Sequence, residues 1–307
     1  MLLSGRFGKA LQDIPNARSL HAVPVARVGG IGIMAGSMAG WLLLPSLLEW
    51  WLVLPYTGLF VVSFLDDRHS QPVWQRLSAH FVAAGILMGG SGLAGELGIV
   101  PTLLLLVLIV WVTNLYNFMD GSDGLAGGMA VFGFALYGMA CLQAQQHELA
   151  MLNFSISAAA LAFLIYNFPP ARVFMGDAGS IPLGFMAAAM GMWGWRQGCW
   201  DVWFPLLVFS PFVLDASVTL FKRTLRGEKL TEAHRDHYYQ RAIRMGWSHR
   251  RVALLGYGLM LGCGASAWAV YMGGYVWPVL FIWACIYGGL MYALDVAWKR
   301  HERSLNV

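Results

Sequence analysis

Residues 114–128 read N-L-Y-N-F-M-D-G-S-D-G-L-A-G-G and lie between two apolar stretches, 99–113 and 129–142. At intervals of three residues this segment carries two amides and two carboxylates: Asn114, Asn117, Asp120 and Asp123. A charged side chain at the centre of a bilayer costs about 2.5–3.5 kcal/mol. We therefore expect the two acids to lie at an aqueous edge of the membrane or to bind a cation. A polar turn between two spans is the alternative, but it does not explain four evenly spaced oxygen-bearing side chains.

The composition is that of a membrane protein. Of the 307 residues, 58% are hydrophobic and 12% are charged, and the mean hydropathy is +0.59. Soluble domains carry about 25% charged residues. Ten apolar runs approach the roughly 17–25 residues that cross a bilayer: 28–48, 50–65, 73–90, 99–116, 124–142, 148–167, 181–196, 201–220, 251–272 and 275–297. The predicted fold is an all-α polytopic transmembrane helix bundle of about 10 spans, in one domain, 1–307. The four cysteines are far apart and predict neither a disulfide nor a zinc site.

The positive charges predict the orientation of this bundle. If the N-terminus is cytoplasmic, all of the 20 Lys and Arg residues except Arg196 lie in cytoplasmic segments. This distribution follows the positive-inside rule and predicts that both termini and the largest loop, 221–250, are cytoplasmic. The acids Asp66–Asp67, the segment 114–123, Asp177 and that loop are separated by pairs of spans. We therefore predict one site on the cytoplasmic face.

Two further acidic motifs resemble parts of a cation site. Asp66 and Asp67 close the second apolar run, and adjacent carboxylates repel each other unless a cation lies beside them. Neutralisation of this pair by Arg68 is the alternative. Asp177 follows a Pro-Pro break and lies between glycines in M-G-D-A-G-S, where an ordinary helix-capping turn is the alternative. Oxygen ligands of this kind suit Mg²⁺ that is also held by substrate phosphate.

Basic residues flank these motifs. Three of them precede the first apolar run, where they meet either an anionic substrate or anionic lipid: Arg18, His21 and Arg27. Three others, in the large loop, are candidates to bind a diphosphate by charge-assisted hydrogen bonds, with lipid headgroups as the alternative: His234, Arg235 and His237. Acids interrupt this loop, which argues against a nucleic-acid partner. Asp215, near the end of the eighth apolar run, is expected to pair with Lys222 or Arg223.

Taken in order, the motifs resemble a known family. They are D-I-P-N-x-R-S-x-H at 13–21, F-L-D-D at 64–67, N-x-x-N-x-x-D-G-x-D-G-L at 114–125, F-M-G-D-A-G-S at 174–180 and a final His-containing loop. This set is similar to the polyprenyl-phosphate N-acetylhexosamine-1-phosphate transferases of glycosyltransferase family 4. That family includes the enzymes that start O-antigen and teichoic-acid assembly and, more distantly, the phospho-MurNAc-pentapeptide transferases. The resemblance covers residues 13 to about 250.

The resemblance implies a reaction and its participants. A sugar-1-phosphate would move from a UDP-N-acetylhexosamine to undecaprenyl phosphate, a polyprenyl phosphate, with release of UMP, and would start O-antigen or another cell-surface polysaccharide. The implied cofactor is Mg²⁺, with Mn²⁺ as the alternative. The implied location is the lipid bilayer of the bacterial inner membrane, and a homodimer is compatible with it.

The resemblance also implies roles for individual residues. Catalytic roles fall on four acids: Asp66, Asp67, Asp120 and Asp123. The resemblance implies that Asp177 and Asn117 bind the metal. It implies that four further residues bind the substrate: Asn114, His234, Arg235 and His237.

The chain departs from the family pattern at two places. Many relatives carry His-x-His-His in the last loop, whereas this chain reads H-R-D-H-Y-Y-Q from residue 234, as the O-antigen branch does. Relatives also usually have a span before D-x-P-N, whereas only residues 1–12 precede it here, so we expect a first helix to be missing. A polytopic secondary transporter is the alternative function, and it predicts acids near mid-membrane and a repeat between halves. Another membrane phosphotransferase or a prenyltransferase is a further alternative, although the aspartate-rich signatures of those families are missing.

Overall fold

The computed structural model describes residues 12–13, 24–44, 48–229, 232 and 234–305. Its strands are β1 (Gln12–Asp13), β2 (Val25–Arg27) and β3 (Val173–Phe174). Its helices are α1 (Gly29–Leu42), α2 (Trp50–Arg68), α3 (Val73–Gly90), α4 (Leu93–Leu97), α5 (Ile99–Phe118), α6 (Leu125–Gln143), α7 (His147–Asn167), α8 (Asp177–Arg196), α9 (Trp203–Val208), α10 (Ser210–Leu225), α11 (Tyr238–Arg244), α12 (His249–Tyr271) and α13 (Val276–Leu305).

The predicted all-α polytopic membrane fold is confirmed, since 78% of the chain is helical and there is almost no sheet. Each predicted apolar run contains a helix, but five helices of the described part, rather than ten, are by themselves long and apolar enough to cross a bilayer. They are α5, α6, α7, α12 and α13. The run 201–220 forms two helices, α9 and α10, because Pro211 at the start of α10 has no N–H to donate.

Helix α8 lies at the centre of the bundle. It packs against α1, α2, α5 and α6, and nearly all of its side chains are buried. Small residues permit these close approaches, as is usual between membrane helices. A Cβ atom at Gly184 would lie 2.8 Å from the Thr113 carbonyl oxygen, so glycine is needed where α8 crosses α5. The first residue of this central helix is Asp177.

A small three-stranded sheet is the exception to the all-helical prediction. The strand order is β1-β2-β3, with β1 and β2 antiparallel and β2 and β3 parallel, so that Ala26 faces Val173. Immediately after β2, the backbone N–H of Gly30 donates to the Met175 carbonyl at 2.9 Å. A Cβ atom at Gly30 would lie 2.4 Å from the Gly179 nitrogen. The chain before α1 is thereby held against the start of α8.

Candidate active site

The carboxylate of Asp67, at the end of α2, caps the start of α8. Its Oδ1 accepts a hydrogen bond from the Asp177 N–H at 3.1 Å, and its Oδ2 accepts one from the Ala178 N–H at 2.9 Å. These N–H groups have no partner within their own helix, so the contact satisfies both of them. Gly176 makes it possible, because its φ is +71° and a Cβ atom there would lie 2.7 Å from Asp67 Oδ2. The glycine before Asp177 is thus explained by the neighbouring acid.

Asn117, in the last turn of α5, reaches the same point. Its Nδ2 donates to Asp177 Oδ1 at 2.8 Å and to Ser180 Oγ at 2.9 Å. Both hydrogens of the amide are therefore used, and its Oδ1 remains as an acceptor. Three predicted site residues from three distant parts of the sequence, Asp67, Asn117 and Asp177, are thus in one hydrogen-bonded cluster.

Asp66 is paired with a residue that sequence analysis did not single out. Its Oδ2 is 3.1 Å from Nη1 of Arg76, in α3, and its Oδ1 accepts from the backbone N–H of Gln71. The same Arg76 nitrogen lies 3.5 Å from Asp177 Oδ2. One guanidinium group therefore bridges Asp66 and Asp177.

A second guanidinium group approaches from the small sheet. Arg27 Nη2 is 2.8 Å from Asp13 Oδ1, and Arg27 Nη1 is 3.7 Å from Asp67 Oδ1. In this structure Arg27 faces carboxylates. The other two basic residues of this segment, Arg18 and His21, lie outside the described residues.

The turn between α5 and α6 places Asp120 beside these acids. Burial raises the pKa of the Asp120 carboxyl well above its usual range, and the nearby charges of Asp177 and Asp67 raise this pKa further. The cluster therefore holds more negative charge than the guanidinium groups of Arg27 and Arg76 offset. A cation or a proton is needed to compensate it.

Asp123 is occupied by structural contacts at the edge of the cluster. Its Oδ2 accepts from the Ala171 N–H at 3.0 Å, and its Oδ1 lies 3.5 Å from Nδ1 of His249, at the start of α12. The same nitrogen is 3.2 Å from the Asp123 backbone N and 3.2 Å from Ser122 Oγ. Sequence analysis missed His249, because no local motif marks it.

Asn114 lies one helical turn before Asn117 and faces a different partner. Its Nδ2 donates to the Val110 carbonyl at 2.7 Å and contacts Nδ1 of His80, in α3, at 3.0 Å. The structure therefore places Asn114 next to a buried histidine, and the substrate-binding role of this amide stays a prediction.

The histidines of the large loop lie next to the end of α5. The His237 ring stacks on Phe118 with 5.9 Å between centroids, and the His234 ring lies 4.9 Å from that of His237. The Arg235 carbonyl accepts from Arg244 Nη1 at 3.2 Å. The loop is thus brought to the end of α5, while the roles of its residues stay predictions.

The predicted pairing of Asp215 is wrong. Its two carboxylate oxygens accept hydrogen bonds from the N–H groups of Tyr238, at 2.8 Å, and Tyr239, at 3.1 Å. Lys222 contacts Asp295 instead, and Arg223 is 2.9 Å from Glu228. The unpaired N–H groups at the start of α11 require an acceptor, and Asp215 supplies it from the neighbouring helix.

The cluster offers oxygen donors, which are suited to bind a hard cation. The nearby carboxylates and the free Asn117 Oδ1 are oxygen donors of the kind that Mg²⁺ prefers. Among the residues that the structure describes, no three His, Cys, Asp or Glu side chains are grouped so that they could hold a metal ion. This arrangement fits Mg²⁺ held by one or two carboxylates together with substrate phosphate, rather than by a protein cage.

A bundle of apolar helices with acids and amides gathered at helix ends defines a polytopic membrane protein with a polar site where those helix ends meet. The family model described as glycosyl transferase family 4 matches residues 50–194, which include all the acids of this cluster. This match and the relatives below support the polyprenyl-phosphate sugar-1-phosphate transferase family for this chain.

Three relatives illustrate the similarity. A probable undecaprenyl-phosphate N-acetylglucosaminyl 1-phosphate transferase of Bacillus subtilis (strain 168) is 27% identical over 88% of this chain and 80% of its own length. A decaprenyl-phosphate N-acetylglucosaminephosphotransferase of Mycobacterium tuberculosis (strain CDC 1551 / Oshkosh) is 27% identical over 83% of this chain and 74% of its own. A phospho-N-acetylmuramoyl-pentapeptide-transferase of Listeria welshimeri is 34% identical over 54% of this chain and 50% of its own.

Proposed function

We propose that this protein transfers an N-acetylhexosamine-1-phosphate from a UDP-sugar to undecaprenyl phosphate and releases UMP. The observation that carries the proposal is the hydrogen-bonded cluster of Asp67, Asn117 and Asp177 at the ends of three helices of a membrane bundle. Acids gathered at one end suit a water-soluble donor and a lipid acceptor, whereas a cation-coupled transporter needs acids near mid-membrane.

We propose Mg²⁺ as the cofactor, with Mn²⁺ as the alternative. Asp177 and Asn117 would hold it, with Asp120 beside them. When bound, the cation would offset the negative charge of the donor diphosphate, because phosphoryl transfer depends mainly on positioning and electrostatics.

The side chains favour direct attack by the lipid phosphate on the sugar-linked phosphorus. In this step the acceptor oxygen forms the new P–O bond, the bond to UMP breaks, and UMP leaves with its electron pair. A phosphate monoester has a second pKa of about 6 and is mostly dianionic at neutral pH, so a general base adds little. Asp67 accepts two backbone hydrogen bonds and Asp66 contacts Arg76, which suits positioning better than nucleophilic attack.

The donor, the pathway and the orientation are also proposals. The names of the relatives make UDP-N-acetylglucosamine the first donor to test. The product would start cell-wall or cell-surface glycan assembly, O-antigen included. The distribution of Lys and Arg supports a site facing the cytoplasm of a bacterial cell. A C-terminal green fluorescent protein fusion that stays dark while the chain inserts would contradict this orientation.

The test is reconstitution. The purified full chain is incubated with Mg²⁺, undecaprenyl phosphate and a panel of UDP-sugars, and both UMP and lipid-linked sugar are measured. We expect equal amounts of the two products with at least one UDP-N-acetylhexosamine, and neither product without lipid. If no UDP-sugar gives a lipid-linked product in a folded, bilayer-embedded preparation, the proposal is wrong.

A further inference from the structure

The hydroxyl of Tyr239 connects the large loop to the turn that carries Asp120. It donates a hydrogen bond to the Phe118 carbonyl at 2.8 Å and accepts one from the Gly121 N–H at 3.1 Å. These two backbone groups lie on either side of Asp120. A single buried hydroxyl thus hydrogen-bonds the last carbonyl of α5 and an N–H group of the following turn. It thereby fixes the backbone that carries the Asp120 side chain.

The absence of a side chain at Gly121 leaves room for this hydroxyl. A Cβ atom at Gly121 would lie 2.3 Å from the Tyr239 hydroxyl oxygen, whereas the next nearest atoms, Tyr239 Cζ and Gln240 Nε2, would be at 3.3 and 3.4 Å. Gly121 is not among the glycines with positive φ. A glycine is required here by the approach of the Tyr239 oxygen.

Two acids fix the helix from which Tyr239 projects. Asp215 accepts hydrogen bonds from the first N–H groups of α11, including that of Tyr239. On the outer side of α11, Asp295 of α13 contacts Lys222, lies 3.0 Å from Arg241 Nη1 and accepts from the Tyr238 hydroxyl at 3.3 Å. Helix α11 is therefore held at its N-terminus and along its outer side, and the position of the Tyr239 ring is set by both contacts.

We propose that Tyr239 is a positioning residue: its hydroxyl sets the conformation of the turn 118–121 and so aims Asp120 into the site. The residue before this helix is His237, whose ring stacks on Phe118. Tyr239 therefore keeps the loop predicted to bind the donor in register with the acid cluster. The effect of Tyr239 on turnover rests on the proposed function, whereas its contact with the turn 118–121 rests on geometry alone.

The contact is tested without any substrate. Purified full-length Y239F, G121A and the double variant are compared with wild type by melting temperature in detergent. We expect G121A to lower the melting temperature in the wild-type background, because the new methyl group collides with the hydroxyl. In the Y239F background the same change should lower the melting temperature clearly less, because the nearest atom is then the ring carbon Cζ, 3.3 Å from the added Cβ. Equal effects of G121A in both backgrounds overturn the proposal.

The role is tested by steady-state kinetics. Y239F should lower kcat by roughly 10- to 100-fold, the loss expected when a reacting group is misplaced by about 1 Å, and should leave KM for the UDP-sugar within about twofold. The control Y275F removes the hydroxyl of an exposed tyrosine that lies outside α11 and the turn, and it should keep kcat. Unchanged kcat in folded Y239F, or a rise in KM alone, overturns the positioning role.

The two tests separate this inference from the proposed function. If wild type is inactive with every UDP-sugar while the melting temperatures show the expected coupling, the proposed function and the catalytic part of the inference fail, and the contact stands. If wild type is active and the coupling is missing, the inference alone fails.

Discussion

The carboxylate of Asp67 accepts a hydrogen bond from the backbone N–H of Asp177 at 3.1 Å. The acid that ends α2 therefore fixes the backbone of the acid that begins α8. The two carboxylates can stay close because Asp67 interacts with the N-terminal end of a helix, where negative charge is favoured. The proposed roles follow from this contact: Asp67 holds the backbone at the start of α8, and the carboxylate of Asp177 would bind the cation.

Replacement of Asp177 by Asn tests the proposed metal ligand. The amide can still accept from Asn117, so the fold should persist, whereas the negative charge is lost. We expect turnover to fall by about 100-fold or more, as on removal of one preorganised electrostatic contact. UMP release is measured at saturating Mg²⁺.

The matched control for this variant is Asp201→Asn, which removes an exposed acid beyond the other end of α8. It should keep wild-type activity. If folded Asp177→Asn retains more than about a tenth of wild-type turnover, Asp177 is not the ligand proposed here.

Omission of the acceptor lipid tests direct attack. If no carboxylate forms a covalent intermediate, enzyme with Mg²⁺ and UDP-sugar alone should release no UMP and should exchange no labelled UMP into the donor. Addition of undecaprenyl phosphate should restore both. The reason is that Asp66 and Asp67 are each occupied by hydrogen bonds from other groups. Lipid-independent exchange that disappears in Asp67→Asn would show a covalent route.

Gly30→Ala tests the contact between the first helix and the start of α8. The added Cβ would lie 2.4 Å from the Gly179 nitrogen, and backbone atoms cannot move aside as a flexible side chain can. We expect a loss of about 1–3 kcal/mol in the free energy of unfolding, the usual cost of overpacking. Thermal melting in detergent measures it.

Gly32→Ala is the control for that contact, because apart from adjacent residues and the backbone of its own helix no atom lies within 4 Å of its added Cβ. Helix propensity favours Ala over Gly by roughly 0.5–1 kcal/mol, so this variant should melt at or above the wild-type temperature. Equal destabilisation by both changes would mean that Gly30 and Gly179 do not pack as described.

His249 variants test whether Asp123 needs its neighbour. His249→Ala removes the acceptor for the Asp123 N–H and Ser122 Oγ, whereas His249→Asn can return an oxygen near the position of Nδ1. A net hydrogen bond is worth about 1 kcal/mol, so we expect activity to fall roughly fivefold in the Ala variant and less in the Asn variant. His147→Ala, at an exposed position, serves as control. Identical losses in the two His249 variants would argue against this contact.

The helices were predictable from sequence because the length and hydropathy of a span are local properties. The run 73–90 corresponds to α3 at both ends, and 99–116 corresponds to α5 within two residues. The expectation that Asn117 and Asp177 lie at one site agrees with the 2.8 Å hydrogen bond between their side chains, while their metal-binding role stays a prediction.

Other features have no local signal. The strands are two or three residues long, too short to show an alternating pattern, and their partners are distant in sequence. Arg76, Tyr239 and His249 act through space on residues far along the chain. Asp215 was assigned to nearby cations because ion pairs at helical spacing are common, but the open N-terminus of α11 takes both of its oxygens.

The parallel pairing of β2 with β3 sets an order of events during biosynthesis. Ala26 leaves the ribosome roughly 150 residues before Val173 does, an interval of about 7–30 s at 5–20 residues per second. Throughout that time the segment that carries Arg27 has no third strand, and Asp67 has no helix start to cap. In a nascent chain arrested before α8 emerges, the cluster of Asp67, Asn117 and Asp177 would therefore still be incomplete, even if its early spans were already inserted.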